Sequence, residues 1–232
     1  MITVNLNNDL FVDKKLEHIW SAHYKENKKV ISPLYQIELL KNEIIFLSFN
    51  PSLTPKAKKD ATVEFYPHPP YCMIDCRRDK KEMYPFFRKF HEIGEMLNQP
   101  WTMLDLLYQR ESTQEELMSK YDSRIINQED KEFLKNQIML TFEILEKIKP
   151  KVVVISNAGS DKLIHVNLKD LKIKQELPTE GNSFIYKLNG IPFILNESRF
   201  LGSPQHFNRS NKDGRLDKLV EEINRVINLK NQ

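Results

Sequence analysis

Ile44 to Phe49 is a nearly unbroken apolar run, rich in β-branched and aromatic residues. Such a run, bounded by a turn signal, fits a strand buried on both faces, as in a parallel sheet covered by helices. It leads into Asn50-Pro51-Ser52. Asn-Pro favours turn initiation, and proline cannot continue a central strand because it has no N–H to donate to the ladder. The pattern therefore places Asn50 at the carboxyl end of a buried strand, the edge where open α/β sheets hold their ligands. A strand that merely stops at a turn accounts for the same residues, so the rest of the chain must separate the two readings.

The chain has 232 residues, 40% of them hydrophobic and 29% charged, which suits one large α/β domain, or a domain with a small appendage. A net charge of +3 is compatible with nucleic acid without being diagnostic of it. Only six glycines are present, and neither G-x-G-x-x-G nor G-x-x-x-x-G-K-[ST] occurs, which argues against a glycine-rich phosphate loop. Two cysteines give no disulfide framework, so a reducing cytoplasm is expected. No signal peptide and no apolar stretch near the ~20 residues of a spanning helix is seen, so no membrane partner is expected.

Residues 1–41 read as an N-terminal helical accessory segment. Leu10, Phe11, Leu16, Ile19, Trp20 and Tyr24 form a helical stripe with Asp13 as its cap, and Leu34 to Leu40 is a helix turn or a short strand. After Ser52 the texture changes to a polar, basic stretch with Lys56 and Lys58. Phe65-Tyr66-Pro67-His68-Pro69-Pro70-Tyr71 follows, whose rings can stack on a planar base or seal the loop onto the core. His68, Cys72 and Cys76 are spaced H-x3-C-x3-C. This falls short of the four ligands of a structural zinc site, and two thiolates cannot hold an iron–sulfur cluster, so no metal and no cofactor is expected. The charge run at 77–81 reads as a solvated face.

Tyr84 to Leu97 predicts a helix stopped by Asn98-Gln99-Pro100. Thr102 to Leu107 predicts a second strand, in which Asp105 is an acid in apolar surroundings. Its charge is costly there unless paired, so it either anchors a structural network or faces a polar ligand. Residues 110–124 hold a short helix, and Asn127 caps a long one carrying Leu134, Ile138, Phe142, Leu145 and Ile148. Lys151 to Ser156 predicts a third buried strand. Asn157 follows it, with a helix beginning near Ser160. Asn189-Gly190 predicts a hairpin, and its second arm runs into Asn196-Glu197-Ser198-Arg199. Leu216 to Ile227 is an amphipathic terminal helix. Three polar clusters thus follow three apolar strands, and parallel strands would gather them at one edge.

These segments resemble the uracil-DNA glycosylase superfamily. The likeness rests on I-I-F-L-S-F-N-P-S at 44–52, similar to that family's first motif. It continues through K-I-K-P-K-V-V-V-I-S-N-A at 147–158 and N-G-I-P-F-I-L-N-E-S-R-F-L-G-S at 189–203, followed by a final helix. It spans about residues 40–230, with the glycosylase-like domain at 42–232. The resemblance implies a three-layer α/β/α sandwich with a central four-stranded, mostly parallel sheet. It implies hydrolysis of the N-glycosidic bond of a flipped, damaged base in DNA, uracil or a relative, with no cofactor. Asn50 would be the catalytic residue, positioning or activating a water near the sugar C1′. Phe49, Pro51, Ser52, Tyr66, Asp105, Asn157, Asn196 and Ser198 would line the base pocket. Lys56, Arg199, Ser203 and Arg209 would meet the DNA, making affinity salt-dependent. DNA and a free base or nucleotide are the expected partners of a monomer.

The chain departs from the family pattern at four places: Ser48 stands for a glycine, Glu197 for a proline, and Asp105 for a base-reading asparagine. No histidine directly follows the last strand; His206 lies ten residues beyond Asn196. The alternative function is therefore a catalytically silent module that binds a nucleotide or modified base on the same fold. An unrelated α/β hydrolase or transferase would need a nucleophile, and no G-x-S-x-G elbow is present.

Overall fold

The computed structural model describes residues 1–24, 30–51, 62–63, 71–111, 113–120, 126–167, 174–175, 185–188, 190–194, 201 and 214–229. In chain order these form β1 (Thr3–Asn5), α1 (Leu6–Leu10), α2 (Val12–Tyr24), β2 (Val30–Ile31), β3 (Tyr35–Gln36), β4 (Glu38–Leu40) and β5 (Ile44–Ser48). Next come β6 (Thr62–Val63), β7 (Tyr71–Cys72), α3 (Pro85–Leu97), β8 (Trp101–Asp105), α4 (Gln114–Lys120), α5 (Gln128–Ile148) and β9 (Val152–Ile155). The chain continues through α6 (Ala158–Asn167), β10 (Lys174–Gln175), β11 (Ile185–Leu188), β12 (Ile191–Ile194) and α7 (Arg215–Leu229).

The apolar run at 44–48 is β5, one of the two inner strands of the sheet's parallel part. Strands β12, β9, β5 and β8 lie side by side and parallel, and the β11–β12 hairpin with β10 extends that sheet antiparallel at one edge. The fold is the expected α/β/α sandwich on a four-stranded parallel core. Numbered by their order in the chain, those four strands stand fourth, third, first, second. That order has a switch point between β5 and β9, where the chain leaves toward opposite faces, the place where open α/β sheets hold their ligands.

Side-chain alternation builds the two cores. Ile44 and Phe46 join Trp101, Met103, Val152 and Val154 against α3 and α7. Ile45, Leu47 and Phe49 join Leu104, Val153 and Ile155 against α2, α5 and α6. Every side chain of β5 is buried, which is why the run shows no polar alternation. Phe46 stacks on Phe90 at 4.5 Å between ring centroids, and burying such a ring stabilises by roughly 1.5–3 kcal/mol. Helix α3 lies so close that a Cβ on Gly94 would sit 2.5 Å from the Trp101 ring.

The helix ends follow local chemistry. Asn127 Oδ1 accepts the Asp130 N–H at 2.8 Å, and Lys149 closes α5 at φ 48°. Pro85 stands in the first turn of α3, and Asn98 ends that helix at φ 49°. The entry to α2 differs from expectation. Phe11, at φ 52°, terminates a short preceding helix, so α2 starts at Val12, and Asn7 Oδ1 rather than Asp13 accepts a first-turn N–H, that of Asp13 at 3.2 Å. Residues 35–40 form short strands, with β4 antiparallel to β1 and β3 parallel to β7. Leu6, Val12 and Leu16 belong to the same core as Ile45 and Leu47, so the N-terminal segment is packed onto the sheet.

Lys89 on α3 is 3% exposed, its Nζ 3.5 Å from the centre of the Phe86 ring and without a hydrogen bond. Burial lowers its pKa to about 7. A ring face returns at most about 2 kcal/mol to a desolvated cation, less than desolvation removes. Replacing Lys89 by Met is therefore expected to stabilise the fold by about 1–3 kcal/mol. The gain should be greatest below pH 7 and shrink above it, where the folded amine is already neutral and the cost lessens. Urea midpoints at pH 6 and pH 9 check this; a midpoint lowered at pH 6 would contradict it.

Candidate active site

Parallel pairing brings the carboxyl ends of three strands together. Ser48 stands opposite Asp105, and Leu47 opposite Ile155. The pairing outlasts the strands: the Leu106 N–H donates to the Ser48 carbonyl at 2.9 Å and the Leu107 N–H to the Phe49 carbonyl at 3.0 Å. Ser48, Asp105 and Ser156 continue the alternation of Phe46, Met103 and Val154. They therefore share one face of the sheet, at its edge.

Asn50 is half-buried just past β5, and its amide orientation is fixed by its neighbours. Nδ2 donates to the Pro51 carbonyl at 3.1 Å and to the Gln109 carbonyl at 3.3 Å. Two carbonyls can be faced only by the NH2 end, so Oδ1 remains as the acceptor with no partner among the described residues. Gln109 is itself held from α5. Gln137 Oε1 accepts the N–H groups of Tyr108 at 3.0 Å and Gln109 at 2.9 Å. One turn on, the Thr141 hydroxyl lies 2.9 Å from both the Leu106 carbonyl and the Tyr108 hydroxyl. Gln137 and Thr141 are fully buried, and sequence reading missed them. The available signal was two polar residues four apart inside the apolar stripe of α5.

A second network fills the crevice between β5 and β9. Ser156 Oγ donates to the Leu47 carbonyl at 3.1 Å and lies 3.3 Å from Ser48 Oγ. Asn157 uses both ends of its amide: Nδ2 donates to Ser156 Oγ at 3.4 Å, and Oδ1 accepts the Ser160 N–H at 2.8 Å. Ser160 Oγ closes the ring on the Ser48 carbonyl at 3.2 Å. Asn157 thereby caps the first turn of α6. That helix begins at Ala158, two residues before the expected start at Ser160. Phe49 turns the other way, into the core beneath α6, where Gly159 has no Cβ to meet its ring.

Asp105 is the exception in this satisfied network. It is 5% exposed, and its Oδ1 is buried without a hydrogen bond. Burial alone pushes its pKa up to about 8, so at neutral pH the carboxyl is held mainly as the uncharged acid. Tyr108 is pushed up as well, by burial first and with the Asp105 charge adding to it.

Asn50, Pro51, Asp105 and Asn157 thus stand at one edge of the sheet. Ser52, Lys56, Lys58, Tyr66, His68, Asn196, Glu197, Ser198, Arg199, Ser203, His206 and Arg209 lie outside the described residues. A groove of about 730 Å³ opens elsewhere, between α2 and α5, lined by Lys14, Lys15, His18, Glu143 and Glu146 among others. Lys15 pairs with Glu143 within it, both partly exposed. Such pairs contribute little and leave no unmatched buried group for a ligand to satisfy, so the sheet edge is the stronger candidate. Among the described residues no helix is long and apolar enough to cross a membrane.

The raised Asp105 pKa makes a stability prediction. Between pH 4 and pH 8 the folded chain holds a proton that the unfolded chain releases, so this group's contribution falls as pH rises, by up to about 1.4 kcal/mol per pH unit. Asp105→Asn should remove that slope. Urea titrations of both proteins at pH 5, 6 and 7.5 measure it; parallel pH profiles would contradict it. The chain matches no protein-family model and no curated protein.

Proposed function

We propose that the chain is a DNA glycosylase-like enzyme that hydrolyses the N-glycosidic bond of a flipped, damaged base, uracil or a relative. The observation that carries this reading is Asn50: its NH2 is tied to two carbonyls, which leaves a fixed carbonyl acceptor at the carboxyl end of β5. A fixed acceptor can orient an attacking water toward a sugar carbon without reorganising during the reaction. Asp105, at the same sheet edge, would meet the base, and DNA is the partner this chemistry requires. A base inside a duplex is out of reach, so the enzyme would extrude it at a cost of a few kcal/mol. Cleavage leaves positive charge on the sugar and negative charge on the departing base. Prearranged dipoles acting on such charge are worth roughly 10²–10³ in rate each.

A silent base-binding module is the second reading. It is favoured by Asn157, whose amide is held at both ends, by Ser156 and by the first turn of α6, and so serves the scaffold.

Asn50→Ala is expected to lower release of uracil from a uracil-containing oligonucleotide by about 10²–10³-fold while DNA binding persists. Abasic-site formation under single turnover, beside a binding titration, makes the test. Equal rates in mutant and wild type would contradict the enzyme reading. Tight binding by the wild type with no abasic product would favour the silent module.

A further inference from the structure

We propose that Gln137, buried on α5, is a positioning residue that sets the direction of the Asn50 amide, acting through the backbone of Tyr108 and Gln109. The inference rests on the reading of Asn50 as the group that orients the attacking water. It adds a residue that governs how fast that water reacts without itself meeting DNA.

The need arises where β5 turns away. The Leu106 and Leu107 N–H groups still reach the Ser48 and Phe49 carbonyls. Beyond them the neighbouring chain turns at Asn50-Pro51, and proline brings no N–H. Tyr108 and Gln109 are buried, so each of their backbone groups needs a partner from elsewhere. The two N–H groups go to one atom, Gln137 Oε1, at 3.0 and 2.9 Å. The Tyr108 carbonyl accepts the Leu34 N–H at 3.2 Å, and the Gln109 carbonyl accepts Asn50 Nδ2 at 3.3 Å. All four groups are thereby engaged, and side chains take over where the ladder stops.

Gln137 is itself held in one orientation. Two N–H donors require its oxygen, and its Nε2 donates to the Phe133 carbonyl at 3.4 Å, one helical turn back. It is fully buried in the stripe of α5 that carries Phe133, Leu134, Ile138 and Leu140. An amide placed there is costly unless its hydrogen bonds are made. Packing alone would be served by an apolar side chain, so the polar function of this position lies in its hold on residues 108 and 109.

The hold is transmitted over a short path. Only the two backbone torsions of Gln109 separate its N–H, bound to Gln137, from its carbonyl, bound to Asn50. Fixing the first restricts the second. With the acceptor gone, two buried N–H groups would turn toward other partners, and the Gln109 carbonyl would swing with them. Asn50 Nδ2 would then keep only the Pro51 carbonyl at 3.1 Å, which belongs to the adjoining residue and moves with Asn50. The Gln109 bond is the one that ties this amide to the packed scaffold. Without it Oδ1 spreads over several directions, and a misplacement of about 1 Å arising far from the chemistry costs up to ~10²-fold in rate.

Gln137→Met, which removes the acceptor at similar volume, tests this. Asn127→Ala, which loses the cap of the same helix, is the control for a weakened α5, and thermal melting checks that each variant is folded. Single-turnover release of uracil from an oligonucleotide is followed across DNA concentrations, beside the ¹⁵N spectrum of the side-chain amides. Gln137→Met should lower the maximal rate by at least about tenfold, less than Asn50→Ala does, and leave the half-saturating DNA concentration within about threefold of wild type. Its Asn50 NH2 resonance should move and exchange faster with solvent, while Asn127→Ala keeps the wild-type rate and resonance. In the wild type itself, whatever the variants do, the Asn50 NH2 protons should exchange slowly; exchange as fast as that of an exposed asparagine overturns the proposal. An unchanged maximal rate or an unmoved Asn50 resonance in folded Gln137→Met, or an equal loss in Asn127→Ala, also overturns it and leaves the enzyme reading standing. No uracil release by the wild type overturns that reading and the proposal with it.

Discussion

The burial of β5 on both faces is the constraint on which the rest depends. A strand with no solvent side can place polar groups only where it ends, so its chemistry is confined to the carboxyl edge. Pairing to β8 on one side and β9 on the other fixes which residues meet there: Ser48 with Asp105, and Leu47 with Ile155 just before Ser156. Shifting either strand by one residue would turn Asp105 or Ser156 to the opposite face, among the leucines of the α5 layer. The hydrophobic packing of Phe46, Trp101 and Phe90 that holds this register therefore also holds the site.

Within the edge, hydrogen-bond accounting separates scaffold from reactive group. Asn157, Ser156, Ser160 and Ser48 close a ring and stiffen the turn into α6. Gln137 and Thr141 reach down from α5 to hold residues 106–109, and Gln109 in turn fixes the amide of Asn50. What remains, among the described residues, is the carbonyl acceptor of Asn50 and the buried Oδ1 of Asp105. Buried polar groups are rarely left unpaired without a reason, and the proposed ligand would complete both.

The parts legible in the sequence were those set by period and punctuation. The unbroken run at 44–49, the stripe of α5 and the Asn189-Gly190 turn signal marked the parallel strands, the long helix and the hairpin without tertiary information. Strand order was not written locally, yet taking the polar ends as parallel, with Asp105 as a further group, placed Asn50, Asp105 and Asn157 at one edge; the remaining cluster, Asn196 to Arg199, lies outside the described residues. The division of labour among them was illegible. That Asn157 caps α6 depends on where that helix begins, and that Asn50 faces Gln109 depends on a loop 59 residues further along the chain. Gln137 looked like one polar interruption among many on a long helix. Its partners are the backbone groups of Tyr108 and Gln109, which no side-chain pattern reveals. The short N-terminal elements escaped for another reason: Phe11 at φ 52° ends one helix and admits the next, a conformation unusual for a bulky residue, in which its N–H donates to the Asn7 carbonyl at 3.1 Å.

The central claim is spatial: a base settles at the carboxyl edge between β5 and β8. Nuclear magnetic resonance with ¹⁵N-labelled protein and ¹³C-labelled aspartate tests it most directly, by following side-chain resonances as uracil is added. The account predicts that the Asn50 amide and the Asp105 carboxyl shift together, while the groove around Lys14, His18 and Glu146 stays unperturbed. Shifts confined to that groove, with Asn50 and Asp105 unmoved, would contradict it.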